Sequence, residues 1–227
     1  KKTKTKVDLL TDVQMYEFVE KGIRGGMTLI NEHYLKANTP RVPKTYCSEK
    51  PLLDLLYIDA NNLYGHALSK HLPQSDFKWM TEEEISNLDI ENFDYEGNDG
   101  YIAEVDLIYP ETVQDVTEDL PFAPEQMLVT DSMLTPHMKS QWSRINQIRY
   151  NKPDKPFRSS PKLMLTHYNR ENYIVHGALL QFYAKQGMIV QKIHRVLKFK
   201  QSQFFEPYIS YNSERRQAAK NKFEKDY

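Results

Sequence analysis

At 227 residues, with 40% hydrophobic and 12% aromatic content, the chain can bury a substantial core, which excludes a predominantly disordered protein. Its single cysteine, Cys47, excludes an internal disulfide and a cysteine zinc site, so a reducing, intracellular compartment is the expectation. The net charge of −1 conceals two opposed parts: residues 1–138 carry 12 Lys and Arg against 25 Asp and Glu, and residues 139–227 carry 18 against 6, the pattern of one part that faces an anion and another that binds metal or is simply solvated. No apolar run approaches the roughly eighteen residues of a membrane span, and Lys1-Lys2-Thr3-Lys4-Thr5-Lys6 lacks the apolar stretch of a secretory signal, so a soluble chain without a membrane partner is expected.

In chain order, residues 7–22 read as a helix that Thr11 or Asp12 caps, with Val13, Tyr16, Phe18 and Val19 on its apolar side. Ile23-Arg24-Gly25-Gly26-Met27 reads as a tight turn, because paired glycines permit positive φ and close backbone approach. Residues 36–51, with three prolines, read as loop. Residues 52–58 read as a strand without alternation, buried on both faces, and an amphipathic run over 63–72 follows. Residues 81–88 have the signature of a short acidic helix, with Thr81 as cap and Glu84 at the capping-box position. An acidic turn region covers 91–100, and 101–109 is a second strand ended by Pro110. Residues 110–166 are Pro-rich and weakly periodic, the character of an insertion or long loop. A helix over 173–186, stopped by Gly187, precedes one or two strands over 188–199. A last helix runs from about Ser202 to the end, interrupted near Pro207. Strands and helices without regular β-α alternation give an α+β architecture.

The chemistry concentrates at Tyr57-Ile58-Asp59-Ala60-Asn61-Asn62-Leu63-Tyr64-Gly65. A strand that hands a carboxylate to a turn, with helix-opening N–H groups behind it, can hold a divalent cation and a polyphosphate together. Two plainer readings stand beside it: Asp59 caps the helix, and Tyr64 packs in the core. On the last helix, 100° per residue places Arg215, Lys222 and Lys225 on one arc, with Arg216 and Lys220 on a neighbouring face. That is either a phosphate-binding surface or a solvated helix face. Lys192, Arg195, Lys198 and Lys200 alternate with Ile193, Val196, Leu197 and Phe199, which suits a strand laid along phosphates. Asp106, in the middle of a strand, is the other acid that a metal could use, and a metal-dependent nuclease built on Asp59 would need it. None of the seven histidines has metal-ligand spacing.

Residues 57–65 resemble the first catalytic motif of protein-primed family B DNA polymerases, Asp-x-x-Ser-Leu-Tyr-Pro, with Asn62 for Ser and Gly65 for Pro, as in the branch carried by Maverick/Polinton-type transposons. Ile23-Arg24-Gly25-Gly26 is similar to that family's Tyr-x-Gly-Gly motif, with Ile23 for Tyr. The segment 173–199, with Lys192-Ile193-His194-Arg195-Val196-Leu197, resembles the approach to the fingers, and 208–227 resembles the helix before the second motif. The second motif, the Tyr-x-Asp-Thr-Asp third motif and the exonuclease acids are absent from the sequence.

The resemblance implies part of a polymerase palm with a mixed or antiparallel sheet and flanking helices over 1–100. An insertion subdomain that contacts a primer protein or DNA follows over 101–201, and the start of a helical fingers element occupies 202–227. It implies nucleotidyl transfer from dNTPs with two Mg²⁺ or Mn²⁺ ions in an intact enzyme, a fragment inactive alone, and a DNA template–primer and a terminal protein as partners. Asp59 is the implied catalytic carboxylate and metal ligand, with the Ala60 carbonyl as a further ligand. Asn62, Leu63, Tyr64 and Lys225 are the implied nucleotide contacts, and Arg24, Gly25, Gly26, Lys192, Arg195 and Lys198 the implied DNA contacts. The location follows from the source: the nucleus for a eukaryotic transposon, or a mitochondrion or virus-infected cell. The competing expectation is a domesticated or decaying transposon remnant, acting as a non-catalytic nucleic-acid-binding or scaffold protein.

Overall fold

The computed structural model of the protein describes residues 4–30, 32 and 34–221. Its centre is a four-stranded, wholly antiparallel sheet in the order β1 (Leu72–Trp79), β6 (Ile189–Ser202), β2 (Asp99–Ile108), β5 (Arg170–His176). A second sheet pairs β3 (Glu125–Met127) with β4 (Lys162–Met164). With seven helices beside these strands among the described residues, the fold is α+β.

β2 shows how the sequence builds the sheet. Side chains alternate faces along a strand, and Tyr101, Ala103, Val105 and Leu107 are buried on one side while Ile102, Glu104 and Asp106 take the other. The first row packs with Tyr173 and Val175 of β5, Val196 of β6, and Leu180 and Tyr183 of α6 (Gly177–Lys185) into the main core. On the opposite side, Phe18 of α1 (Val13–Gly22) covers Ile174 and Leu197 and meets Trp79 edge-on at 4.9 Å between ring centroids. The expected capping box is present in α3 (Glu82–Ser86): the Glu84 N–H donates to Thr81 Oγ1, and the Thr81 N–H donates to the Glu84 carboxylate. The expected stop at Gly187 is also present, with φ +98, a conformation open to glycine at no steric cost.

Several elements differ from the sequence reading. The helix expected over 7–22 begins only at Val13, capped by Asp12, while the Asp8 N–H bonds to Gln74 on the β1 edge. Gly25 and Gly26 form no tight turn: neither has positive φ, and a Cβ on either would meet nothing within 4 Å. Residues 52–58 form no strand. Apart from a single bridge between Leu53 and Asn38 they make no strand pairing among the described residues, and Tyr57 is 96% exposed. A strand apolar on both faces needs neighbours on both, and none is supplied here.

The helix expected over 173–186 is strand as far as His176 and helix only from Gly177. Val175 faces the main core and Ile174 the α1 side, so both faces are apolar and the alternation that marks a strand is erased. The span 110–166 holds α4 (Glu111–Val116) and the fifteen-residue α5 (Pro136–Tyr150). α5 is announced by Thr135 as N-cap with Pro136 at N1, a recognised start signal. Pro207 does not interrupt α7 (Glu206–Ala218) but sits in its first turn, where the missing N–H costs nothing. The boundary read at 100/101 falls inside β2, and β1 shares its sheet with β2, β5 and β6.

His176 links this fold to pH. It caps α6, its Nδ1 accepting the Ala178 N–H at 3.2 Å, and burial holds its imidazole below the ordinary value of about 6.5. The unfolded chain therefore takes up a proton first, and the stability due to neutral His176 is full above about pH 6.5 and lost as pH falls toward the depressed folded value. The carboxylates held below their usual range, Asp106 by the Asn172 N–H and His194, Glu84 by Lys198 and the Thr81 N–H, and Asp89 by the Asn92 side chain and N–H, act only in stronger acid, below about pH 4. Urea unfolding at about pH 7.5 and about pH 5.5 should show a loss in the wild type that is flattened in His176→Asn, which keeps a capping side chain. An equal loss in both proteins removes His176 as the cause.

Candidate functional site: a cleft between the Asp59 turn and the last helix

Residues 54–64 run exposed into α2 (Leu63–Leu68), with Asp59 and Ala60 just before the turn. Asn62 opens α2 in the left-handed conformation (φ 54), which Asn tolerates better than most residues, and its backbone carbonyl accepts the first helical bond from the His66 N–H at 2.9 Å. The Asn62 side chain folds over Gly65, where an added Cβ would lie 2.2 Å from its amide nitrogen. The pair Asn62 and Gly65 thus fixes how the chain leaves Asp59. Neither plainer reading of this stretch describes the structure. The N-cap of α2 is Asn62 rather than Asp59, and Tyr64, at 87% exposed, is not in the core.

The turn meets α7 across an open cleft of about 780 Å³. Asn61 and Asn62 line one wall, and Tyr208, Asn212, Ser213 and Arg216 line the other. Arg215 turns aside to Tyr211, donating to its hydroxyl at 2.6 Å. Arg216 makes no ion pair among the described residues, so the cleft holds one guanidinium with amide and hydroxyl donors, a set that suits phosphate oxygens. α7 ends at Ala218 and Ala219 is extended, and Lys222 and Lys225, expected on the same basic arc as Arg215, lie outside the described residues. Tyr208, Asn212 and Arg216 recur every fourth residue and so share a helix face, a signal present in the sequence but unread.

The other expected contacts are used within the fold. The Arg24 guanidinium lies 3.9 Å from the Tyr173 ring centroid and donates to the carbonyls of Ile174 (2.6 Å) and Gly22 (3.1 Å), tying the 23–26 segment to β5. Arg195 is paired with Glu104 at 2.5 Å and lies over the rings of Phe18 and Trp79. Lys198 is paired with Glu84, Lys200 with Asp99 at 2.6 Å, and Lys192 stands opposite Asp106 across β2 and β6. Each β6 cation thus has a carboxylate partner or neighbour, which offsets the charge it could offer a phosphate. Asp106 is occupied as well, accepting from the Asn172 N–H and contacting His194 Nε2, both at 2.8 Å.

Asp59 and the Ala60 carbonyl are hard oxygen donors of the kind Mg²⁺ or Mn²⁺ takes. The described residues bring no group of three His, Cys, Asp or Glu together, and of the expected metal and nucleotide contacts in this stretch only Asn62 lines the cleft: Asp59, Ala60, Leu63 and Tyr64 do not. A two-ion centre needs more than this set, and no catalytic step is assigned to it. No helix among the described residues is long and apolar enough to cross a membrane. Set against known protein families, characterised proteins and solved structures, the chain matches none.

Proposed function

We infer that the chain is the palm-to-fingers portion of a protein-primed, family B-like DNA polymerase, with the cleft between the Asp59 turn and α7 receiving the triphosphate of a dNTP. One observation carries this reading. The two segments whose motifs resemble the nucleotide-binding parts of such enzymes, far apart in sequence, line one cleft with a guanidinium on its wall. In this reading Asp59 is one carboxylate of a site for Mg²⁺ or Mn²⁺. Ions bound there would activate a primer hydroxyl and neutralise phosphate charge. Template–primer DNA and a terminal protein are the partners, and the chain alone transfers no nucleotide because the second carboxylate lies outside its sequence.

The test is titration of a fluorescent dNTP analogue against the wild type and Arg216→Ala. The guanidinium's bonds to phosphate should make the variant's binding about tenfold weaker. Equal affinity puts the nucleotide elsewhere and overturns the assignment. Templated incorporation by the 227-residue chain would overturn the statement that it is catalytically incomplete. A second reading, a non-catalytic nucleic-acid-binding remnant, is favoured by a cationic cleft at the end of α5 that shares no residue with the Asp59 cleft.

A further inference from the structure

α5 ends in a constrained turn. Tyr150 is followed by Asn151 in the left-handed conformation (φ 52), the usual way to stop a helix without glycine. The Lys155 N–H closes a turn on the Lys152 carbonyl at 3.3 Å. Trp142 of α5 donates its Nε1–H to the Lys155 carbonyl at 2.9 Å, and its ring meets Phe157 edge-on with centroids 5.2 Å apart. Pro153 and Pro156 restrict the backbone further. The 151–158 segment is therefore held against α5.

The turn and the helix end enclose a cleft of about 470 Å³ lined by Tyr150, Lys152, Lys155, Pro156 and Arg158. Three cations and an aromatic ring share it with no carboxylate in the lining. The Lys155 ammonium stands 4.2 Å from the Tyr150 ring centroid. Lys152 and Arg158 make no side-chain hydrogen bond or ion pair among the described residues, in contrast with the β6 cations Arg195, Lys198 and Lys200, each of which sits on a carboxylate. The surrounding sequence has the same bias, with seven Lys and Arg against one Asp between 139 and 162. Three cations converge here against the single carboxylate of Asp154 on the same turn, an excess of positive charge that lowers its energy by taking an anion.

We propose that this cleft binds the phosphodiester backbone of single-stranded nucleic acid, with a base stacked on the ring of Tyr150. The cations alone would suit any polyanion. The ring decides the class, since a flat π-face at the wall adds nothing for a carboxylate but offers a stacking platform to a base. Only a base outside a duplex can reach it, which decides for a single strand. The site stands whether or not the Asp59 cleft takes a nucleotide.

The test is fluorescence anisotropy of the 227-residue chain with a labelled oligothymidylate of about 20 nucleotides, across about 50 to 200 mM NaCl. The triple variant Lys152→Glu, Lys155→Glu, Arg158→Glu should bind at least about tenfold more weakly and flatten the log–log salt slope by about 2, the release expected for three phosphate contacts. Tyr150→Ala, which leaves every charge in place, should lose about fivefold or more. A charge-matched control, Lys36→Glu, Lys44→Glu, Lys50→Glu, should stay within about twofold of the wild type. The variants are compared at matched unfolding midpoints, because the altered side chains lie on the surface. The proposal is overturned if the control loses as much as the cleft variant, if Tyr150→Ala binds like the wild type, or if the wild type prefers duplex DNA or polyglutamate to the single strand.

Discussion

Replacing Arg170 with Met should lower the unfolding free energy by about 3–5 kcal/mol. Arg170 is 1% exposed. Its Nε–H donates to the Ala123 carbonyl at 2.8 Å, its Nη2–H to the Thr166 carbonyl at 2.9 Å and Oγ1 at 3.2 Å, and its Nη1–H to the Tyr168 carbonyl. The Glu125 carboxylate lies 3.7 Å from Nε. One guanidinium thus satisfies carbonyls from two loops and fastens them to β5. Burial lowers its pKa, but arginine stays charged at every pH a protein survives, so the cost of desolvation is already present in the native state. Met fills most of the volume while leaving the carbonyl of fully buried Ala123, and the partly buried bonds to the Thr166 and Tyr168 carbonyls, without a donor. A buried carbonyl left without a donor costs about 1–3 kcal/mol, and the two partly buried ones less because water can reach them. Ala123 adds to the loss, because it is fully buried with φ +52, a conformation that costs an L-residue about 1–2 kcal/mol and is held by the Arg170 bond. Urea unfolding is the measurement, with Arg144→Ala on the exposed part of α5 as comparator at less than about 0.5 kcal/mol. Equal midpoints for Arg170→Met and wild type would show that the guanidinium bridges nothing in solution.

The elements legible in the sequence are those whose signal is local. β2 announces itself by alternation from Ala103 to Leu107, and α3 by the Thr81 and Glu84 pair, and both elements form. The sequence reads as one or two strands over 188–199; β6 is one strand of fourteen residues, a length it reaches by being paired on both edges, with β1 and β2. The errors share a physical cause. The apolar residues Tyr173, Ile174 and Val175 are buried on two faces by different partners, which removes the periodicity that separates strand from helix. Residues 52–58 have the composition of a doubly buried strand, yet Leu56 and Ile58 are exposed because burial depends on neighbours that composition does not specify. The opposed charge of the two parts of the chain is used internally to a large extent: acids of β2 and α3 face the cations of β6 at Glu104–Arg195, Asp99–Lys200 and Glu84–Lys198. The candidate cleft was half legible. The Asp59 turn was read from its motif, but its meeting with Tyr208, Asn212 and Arg216 is a tertiary event that no local window contains.

In a protein that carries this chain together with the second and third polymerase motifs, Asp59→Asn should reduce Mg²⁺-dependent primer extension by at least about a thousandfold, and leave the unfolding free energy unchanged within about 0.5 kcal/mol. The two halves of this expectation come from different observations. Asn matches Asp in size, and Asp59 is exposed and makes no hydrogen bond or ion pair among the described residues, so the exchange disturbs no contact of the fold. What it removes is a negative charge two residues before Asn61, on the segment that leads into the wall of the cleft. Were Asp59 only a helix cap, the pattern would be inverted, with about 1 kcal/mol of stability lost and extension intact. The structure already gives the cap position to Asn62, which leaves the carboxylate without a structural task. Arg216→Ala in the same protein should cost about tenfold through weaker triphosphate binding, far less than Asp59→Asn, because a guanidinium on the cleft wall is one donor among several whereas the turn offers one carboxylate. Primer extension at saturating dNTP separates the two effects: the Arg216→Ala defect then recovers and the Asp59→Asn defect does not. Equal extension by wild type and Asp59→Asn would remove Asp59 from the chemistry and leave the cleft as a binding surface alone.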